Sequence, residues 1–154
     1  MNPIKPIPDG HQTATAYLVV KNAPAALAFY QQAFGAIELF RLTEPSGKIG
    51  HAEMMIGTSH VFLADEYPDF GALSPPSIGG SPISMHLYVL NVDEFVAQAV
   101  TAGATILRPI ETMFYGDRTG LLVDPFGHKW HIASRVEEVS SDEMQRRWSA
   151  AMGG

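Results

Sequence analysis

Apolar and polar positions along the chain change their period in a repeating order. From Thr15 to Val20 the residues are β-branched, aromatic or small, the composition of a short strand. Asn22 follows as a helix cap, and Pro24 is tolerated in a first turn. Ala23, Leu27, Tyr30 and Phe34 recur at steps of three and four, which makes one apolar helix face, and Gly35 supplies the left-handed residue that ends it. Strand-like runs at 37–42, 49–56 and 59–64 are parted by Pro45-Ser46-Gly47 and by Gly57-Thr58. Residues 13–64 therefore predict a β-α-β-β-β order.

Residues 65–82 carry Pro68, Gly71, Pro75, Pro76, Gly79, Gly80 and Pro82, too many breakers for a regular element, and predict a linker with the composition of a mobile lid. The same grammar then returns over 83–135. A strand at 83–90 leads to a helix from a cap at Asp93 through Phe95, Val96, Ala99 and Val100, which stops at Gly103. Strands follow at 105–108, 118–123 and 128–134, the last two joined by Asp124-Pro125-Phe126-Gly127. A terminal helix over 140–152 starts at Ser140 or Ser141 with Glu143 behind it, and Met144, Trp148 and Met152 step by four. It is expected to dock by Trp148 on the domain or on a partner subunit. The fold class is thus α+β, two βαβββ modules and a C-terminal helix in one domain over 1–154. Matching the halves sets Thr15 on Ser84, Tyr17 on His86, Asn22 on Asn91 and Glu53 on His131.

Composition narrows the chemistry. The net charge is -6 and the 10 Lys and Arg are scattered, so no basic stripe exists for nucleic acid. With 0 Cys there are no disulfides, thiolate metal sites or thiol nucleophiles, which leaves His and carboxylates as the strong metal ligands. The start of the chain holds Pro3, Pro6 and Pro8 without an apolar run, so neither a signal peptide nor a membrane span is expected, and the expected location is cytoplasmic.

Strand alternation sorts the side chains, because residues two apart share a face. His51, Glu53 and Met55 share one, as do Tyr17 with Thr15 and Val19, His86 with Ser84 and Tyr88, and His131 with Lys129 and Ala133. If the halves pair pseudosymmetrically, Tyr17, His51, Glu53, His86 and His131 converge, with Arg118 at the rim. Two His and one Glu suit a divalent metal. His11, His60 and His128 are read as solvent or structural histidines, with alternation placing His60 and His128 away from this set.

Tyr17-Leu18-Val19-Val20, Phe29-Tyr30, Phe34-Gly35-Ala36, His51-Ala52-Glu53, His86-Leu87-Tyr88-Val89, Gly116-Asp117-Arg118 and Asp124-Pro125-Phe126-Gly127-His128 together resemble the PhnB-like branch of the vicinal-oxygen-chelate superfamily of glyoxalases, bleomycin-resistance proteins and dioxygenases. The resemblance implies a small-molecule cleft, a homodimer and metal ligands in the opening and last strand of each half. Those places read Thr15, Glu53, Ser84 and His131, and His86, on the face of Ser84, is the substitute third ligand. One reading is a glyoxalase-like enzyme performing metal-assisted lyase or isomerase chemistry, with Glu53, His86 and His131 holding one divalent ion (Zn, Ni, Mn or Fe) and Glu53 doubling as catalytic base. Tyr17, His51, Phe114, Tyr115 and Arg118 would contact the ligand, and no organic cofactor is indicated. The alternative is a metal-free binding protein of the bleomycin-resistance type, with an aromatic cleft for a flat or antibiotic-like molecule.

Overall fold

The structure is a computed structural model that describes residues 2–153. The two halves read in the chain become two units, Met1–Gly80 and Ser81–Gly154, each with its own four-stranded sheet.

In the first unit the strands are β1 (Tyr17–Val20), β2 (Ile37–Thr43), β3 (Ile49–Ile56) and β4 (Ser59–Asp65), in the spatial order β1-β4-β3-β2. β1 runs parallel to β4 because helix α1 (Ala23–Phe34) carries the chain back before β2, and the other pairs are antiparallel. Asn22 caps α1 by accepting from Ala25 N, and Gly35 ends it at φ 66°. Leu27, Tyr30 and Phe34 bury one helix face with Leu18, Val20, Met54 and Leu63 of the sheet. The opposite sheet face bears Tyr17, His51, Glu53 and Phe62.

A buried carboxylate joins helix to sheet. Asp65 accepts from Ala23 N with Oδ1 (2.8 Å) and from Ile49 N with Oδ2 (2.7 Å), so one side chain fixes the start of α1 and the start of β3. That second bond sets where His51 and Glu53 stand.

The second unit repeats the order as β5 (Ser84–Tyr88), β6 (Thr105–Thr112), β7 (Asp117–Val123) and β8 (Lys129–Arg135), arranged β5-β8-β7-β6 with α3 (Val92–Ala102) between β5 and β6. Its core is Val92, Val96, Ala99, Leu122, Trp130 and Ile132, and Asp124 accepts from Trp130 Nε1 at 2.8 Å. Helix α4 (Ser141–Ala151) is capped by Ser140, which accepts from Glu143 N, and Trp148 meets Phe114 with ring centroids 5.7 Å apart.

Several expectations are corrected. The cap of α3 is Asn91, which accepts from Glu94 N at 3.1 Å; Asp93 lies inside the first turn. β6 continues through Pro109 to Thr112, because an edge strand needs no N–H at every position, and its pairing slips on both sides of Arg108. Segment 65–82 holds a 3-10 turn at Pro68–Phe70 and α2 (Pro75–Ile78). Glu66 ties it together by accepting from Ser74 N and from the hydroxyls of Ser74 and Ser77, and these bonds hold its carboxyl down at about 2.

The matching of the halves also shifts. Tyr17 pairs with Phe62, and Phe62 with Glu53; His86 pairs with His131, and His131 with Leu121. The counterpart of His131 is therefore Phe62, and the counterpart of Glu53 is Leu121. Glu53 stands on β3, as the run 49–56 predicts, and not on the last strand of its module, where the family resemblance set it.

Candidate functional site

In the first unit β3 aims His51 and Glu53 from one face, and β1 brings Tyr17 beside them. The Tyr17 hydroxyl lies 2.6 Å from His51 Nδ1, and His51 Nε2 lies 3.0 Å from Glu53 Oε2. An ionised carboxylate can only accept, so Nε2 carries the hydrogen of a neutral His51 and Nδ1 is left to accept from Tyr17. The three groups form a directed chain, Tyr17 O–H to His51 to Glu53. Phe62 packs edge-on against both rings, 5.9 Å from Tyr17 and 5.3 Å from His51 between centroids.

The electrostatics follow from these contacts. Burial pushes the Glu53 carboxyl up, but hydrogen bonds from His51 and His11, reinforced by positive charge whenever either ring is protonated, outweigh it and hold the group below its ordinary range. Burial and the nearby Glu53 charge push the Tyr17 phenol above 10.0. Proton acceptor and proton donor thus sit at opposite ends of one chain with their affinities set far apart. Beside Tyr17 opens a pocket of about 660 Å³ lined also by Val19, Glu44, Ala64, Tyr67 and Phe70.

Two histidines that the sequence reading set aside belong here. His11 Nε2 lies 3.4 Å from Glu53 Oε1, and the His11 ring stacks on His60 at 3.9 Å. His60 pairs with Met55 across β3 and β4, so it shares the face of Glu53; counting alternation from the pairing would have found it. His11 comes from the arm before β1, where no periodicity gives a signal. One ligand atom each from His11, Glu53 and His60 lie within 4.8 Å of one another, a His/Glu/His group able to hold a metal ion.

The second unit gathers different chemistry. His86 and His131 are cross-strand neighbours with ring centroids 6.0 Å apart, and burial, Arg108 and His86 lower the pKa of His131. His131 lines a small pocket of about 90 Å³ with Arg108, Met113, Tyr115 and Thr119. Arg118 is engaged bidentately by Asp93 at 2.8 and 2.9 Å. Phe114 lies against Trp148 and Tyr115, while Asp117 accepts from Tyr88 at 2.7 Å. Of the sequence-predicted residues, Tyr17, His51 and Glu53 come together in one unit and His86, His131 and Tyr115 gather in the other; Phe114 and Arg118 are taken up by local packing and pairing.

Paired βαβββ units, each with a polar sheet face, define a class of small-molecule proteins built by duplication. The chain belongs to the Glyoxalase/Bleomycin resistance protein/Dioxygenase superfamily, whose profile matches residues 11–132. It is 40% identical over 141 residues to an uncharacterized protein of Mycobacterium bovis, covering 90% of this chain and 93% of that one. The X-ray structure of an Arabidopsis thaliana gene product superposes with a TM-score of 0.65 at 27% identity, over 79% of this chain and 98% of that chain. The genomically encoded fosfomycin resistance protein FosX of Listeria monocytogenes shares the fold with a TM-score of 0.64 at 16% identity, over 86% of this chain and 96% of that one.

Proposed function

We propose that the protein is a glyoxalase-like enzyme of the PhnB-like branch that moves a proton on a small oxygenated substrate, in a lyase or isomerase reaction, with its two units serving as the modules of one functional domain. The observation that carries this reading is the Tyr17–His51–Glu53 chain. Glu53 is the terminal base: as the substrate gives a proton to the Tyr17 oxygen at the edge of the pocket, the Tyr17 hydrogen moves to His51 Nδ1 and the His51 Nε2 hydrogen moves to the Glu53 carboxylate. Tyr17, Tyr67 and Phe70 would hold the apolar part of the substrate by their rings. A divalent ion, where one serves, would polarise the substrate oxygen. Exposed Ile37, Leu39 and Leu42 on β2 and Ile106 and Leu107 on β6 support a homodimer.

The pocket's aromatic lining favours a second reading, a binding protein for a flat molecule. One experiment separates the two. A panel of α-hydroxycarbonyls and thiol adducts of α-ketoaldehydes is incubated in D₂O, and solvent exchange and turnover are followed by ¹H NMR. Exchange should fall about 10²–10⁴-fold in Glu53→Gln with ligand affinity retained. Exchange at the wild-type rate in that variant would remove Glu53 as the base; binding without exchange in the unaltered protein would establish the second reading.

A further inference from the structure

We infer that His11, Glu53 and His60 form a binding site for a divalent transition-metal ion, of the zinc or cobalt(II) kind, built wholly within the first unit. The inference rests on the reading of Glu53 as the functional carboxylate of this unit and supplies its partners.

The first argument is a mismatch of lone pairs. His11 Nδ1 lies 3.3 Å from the carbonyl oxygen of Asp9, which can only accept, so Nδ1 carries the hydrogen. Without a second proton on the ring, which would then donate to the carboxylate, the Nε2 lone pair faces Glu53 Oε1 at 3.4 Å, acceptor against acceptor. A cation between them removes the conflict. An imidazole whose other N–H is fixed on a backbone carbonyl is also the usual arrangement of a metal-ligating histidine.

The second argument is His60. Its side chain is 7% exposed, and its Nδ1 is the one buried side-chain N or O atom among the described residues without a hydrogen-bond partner. Such a group carries a desolvation cost for as long as it stays unmatched. Its place is nonetheless enforced, because the Gln12 side chain binds both backbone groups of His60, donating to its carbonyl at 2.7 Å and accepting from its N–H at 3.3 Å. The same two bonds seat the arm that carries His11.

The third argument is the division of labour at Glu53. Oε1 faces His11 while Oε2 accepts from His51, so the carboxylate could give one oxygen to an ion and keep the other on the His51–Tyr17 chain. Bonds of about 2.0–2.1 Å in a tetrahedral site need ligand atoms roughly 3.4 Å apart. The present separations, within 4.8 Å, exceed that, so binding an ion requires side-chain rotations that also part the stacked His11 and His60 rings. Three protein ligands leave a fourth position open to water or a substrate oxygen. Imidazole donors exclude calcium and magnesium as the preferred ions. The His86–His131 pair is less suited to a cation, since Arg108 lines the same small pocket as His131.

The test uses the full chain freed of metal by chelation, titrated with Zn²⁺ by calorimetry and with Co²⁺ by visible absorption. The expected result is one ion per chain, with cobalt bands of four or five coordination and binding weakened at least about 10-fold in His11→Ala and His60→Asn. His86→Ala and His131→Ala should bind like the parent chain. His11 stands on the arm, so its variant reports on ligation even if the His60 variant loosens the sheet. Absence of stoichiometric binding, undiminished binding in His11→Ala, or a loss confined to the His86 and His131 variants would each overturn the site. Proton exchange that depends on Glu53 yet persists in chelated protein that binds no ion would leave the proposed reaction standing and remove this site alone.

Discussion

Replacing Asp65 should damage the first unit more than any surface change nearby. Its two oxygens satisfy Ala23 N and Ile49 N in a buried setting. In Asp65→Ala both N–H groups lose their acceptor, at about 1–3 kcal/mol each, so the loss should be about 2–6 kcal/mol. Domains of this size move by about 2–4 °C per kcal/mol, which turns a central 4 kcal/mol into about 8–16 °C of Tm. Asp65→Asn keeps one acceptor but points an N–H₂ at the second amide, so it should fall between the parent and the alanine variant. Urea denaturation followed by far-UV circular dichroism reads both units, whereas tryptophan fluorescence reads the second alone, because Trp130 and Trp148 both lie there. The histidine resonances of His51 should shift as well, since Ile49 starts the strand that bears it. An alanine variant within about 1 kcal/mol of the parent, or an asparagine variant less stable than the alanine one, would refute the bridge as a stabilising element.

Two further outcomes follow from local geometry. Gly116 has φ 96°, and a Cβ there would stand 2.3 Å from the Glu137 carbonyl oxygen, so Gly116→Ala should cost about 2–4 kcal/mol in urea denaturation, while Gly47→Ala, with open space around it, should cost less than half of that. Glu66, held down at about 2 from 4.5, adds stability that is complete above about pH 4.5 and disappears as pH falls through about 2; hydrogen exchange over residues 66–78 should quicken across that window, and Ser74→Ala with Ser77→Ala should return the carboxyl resonance midpoint toward 4.5.

The fold was legible where one physical signal dominated. The three-and-four spacing of Leu27, Tyr30 and Phe34 located α1, and the run 49–56 matched β3 at both ends, because each segment buries one face and exposes the other. Pro109 hid the second half of β6, since proline argues against a strand interior and nothing local shows that a strand lies at an edge. The order in segment 65–82 rests on one carboxylate reaching residues eight and eleven positions away, which composition does not reveal. Among site residues, Tyr17, His51 and Glu53 were found by alternation inside single strands. His60 was lost because its face depends on the hairpin register, and His11 because it reaches Glu53 from an irregular arm.

The register across each sheet explains why the halves carry different chemistry on one scaffold. In the first unit a row runs Tyr17, Phe62, Glu53, Phe40; in the second the matching row runs His86, His131, Leu121, Arg108. The same step of 69 residues leads from 17 to 86, from 62 to 131 and from 65 to 134, where Ser134 donates to Val89 O on the edge of β5 much as Asp65 ties the end of β4 to α1 and β3. Position is therefore inherited and charge is not. Glu53 has aromatic rings on both sides within its row, so its hydrogen bonds come along the strand from His51 and from the arm through His11. The second row has no carboxylate, and burial, followed by the neighbouring Arg108 and His86, lowers the pKa of its His131. A site read from the sequence by symmetry between halves assigned Glu53 a histidine counterpart, whereas the strand pairing assigns it a leucine.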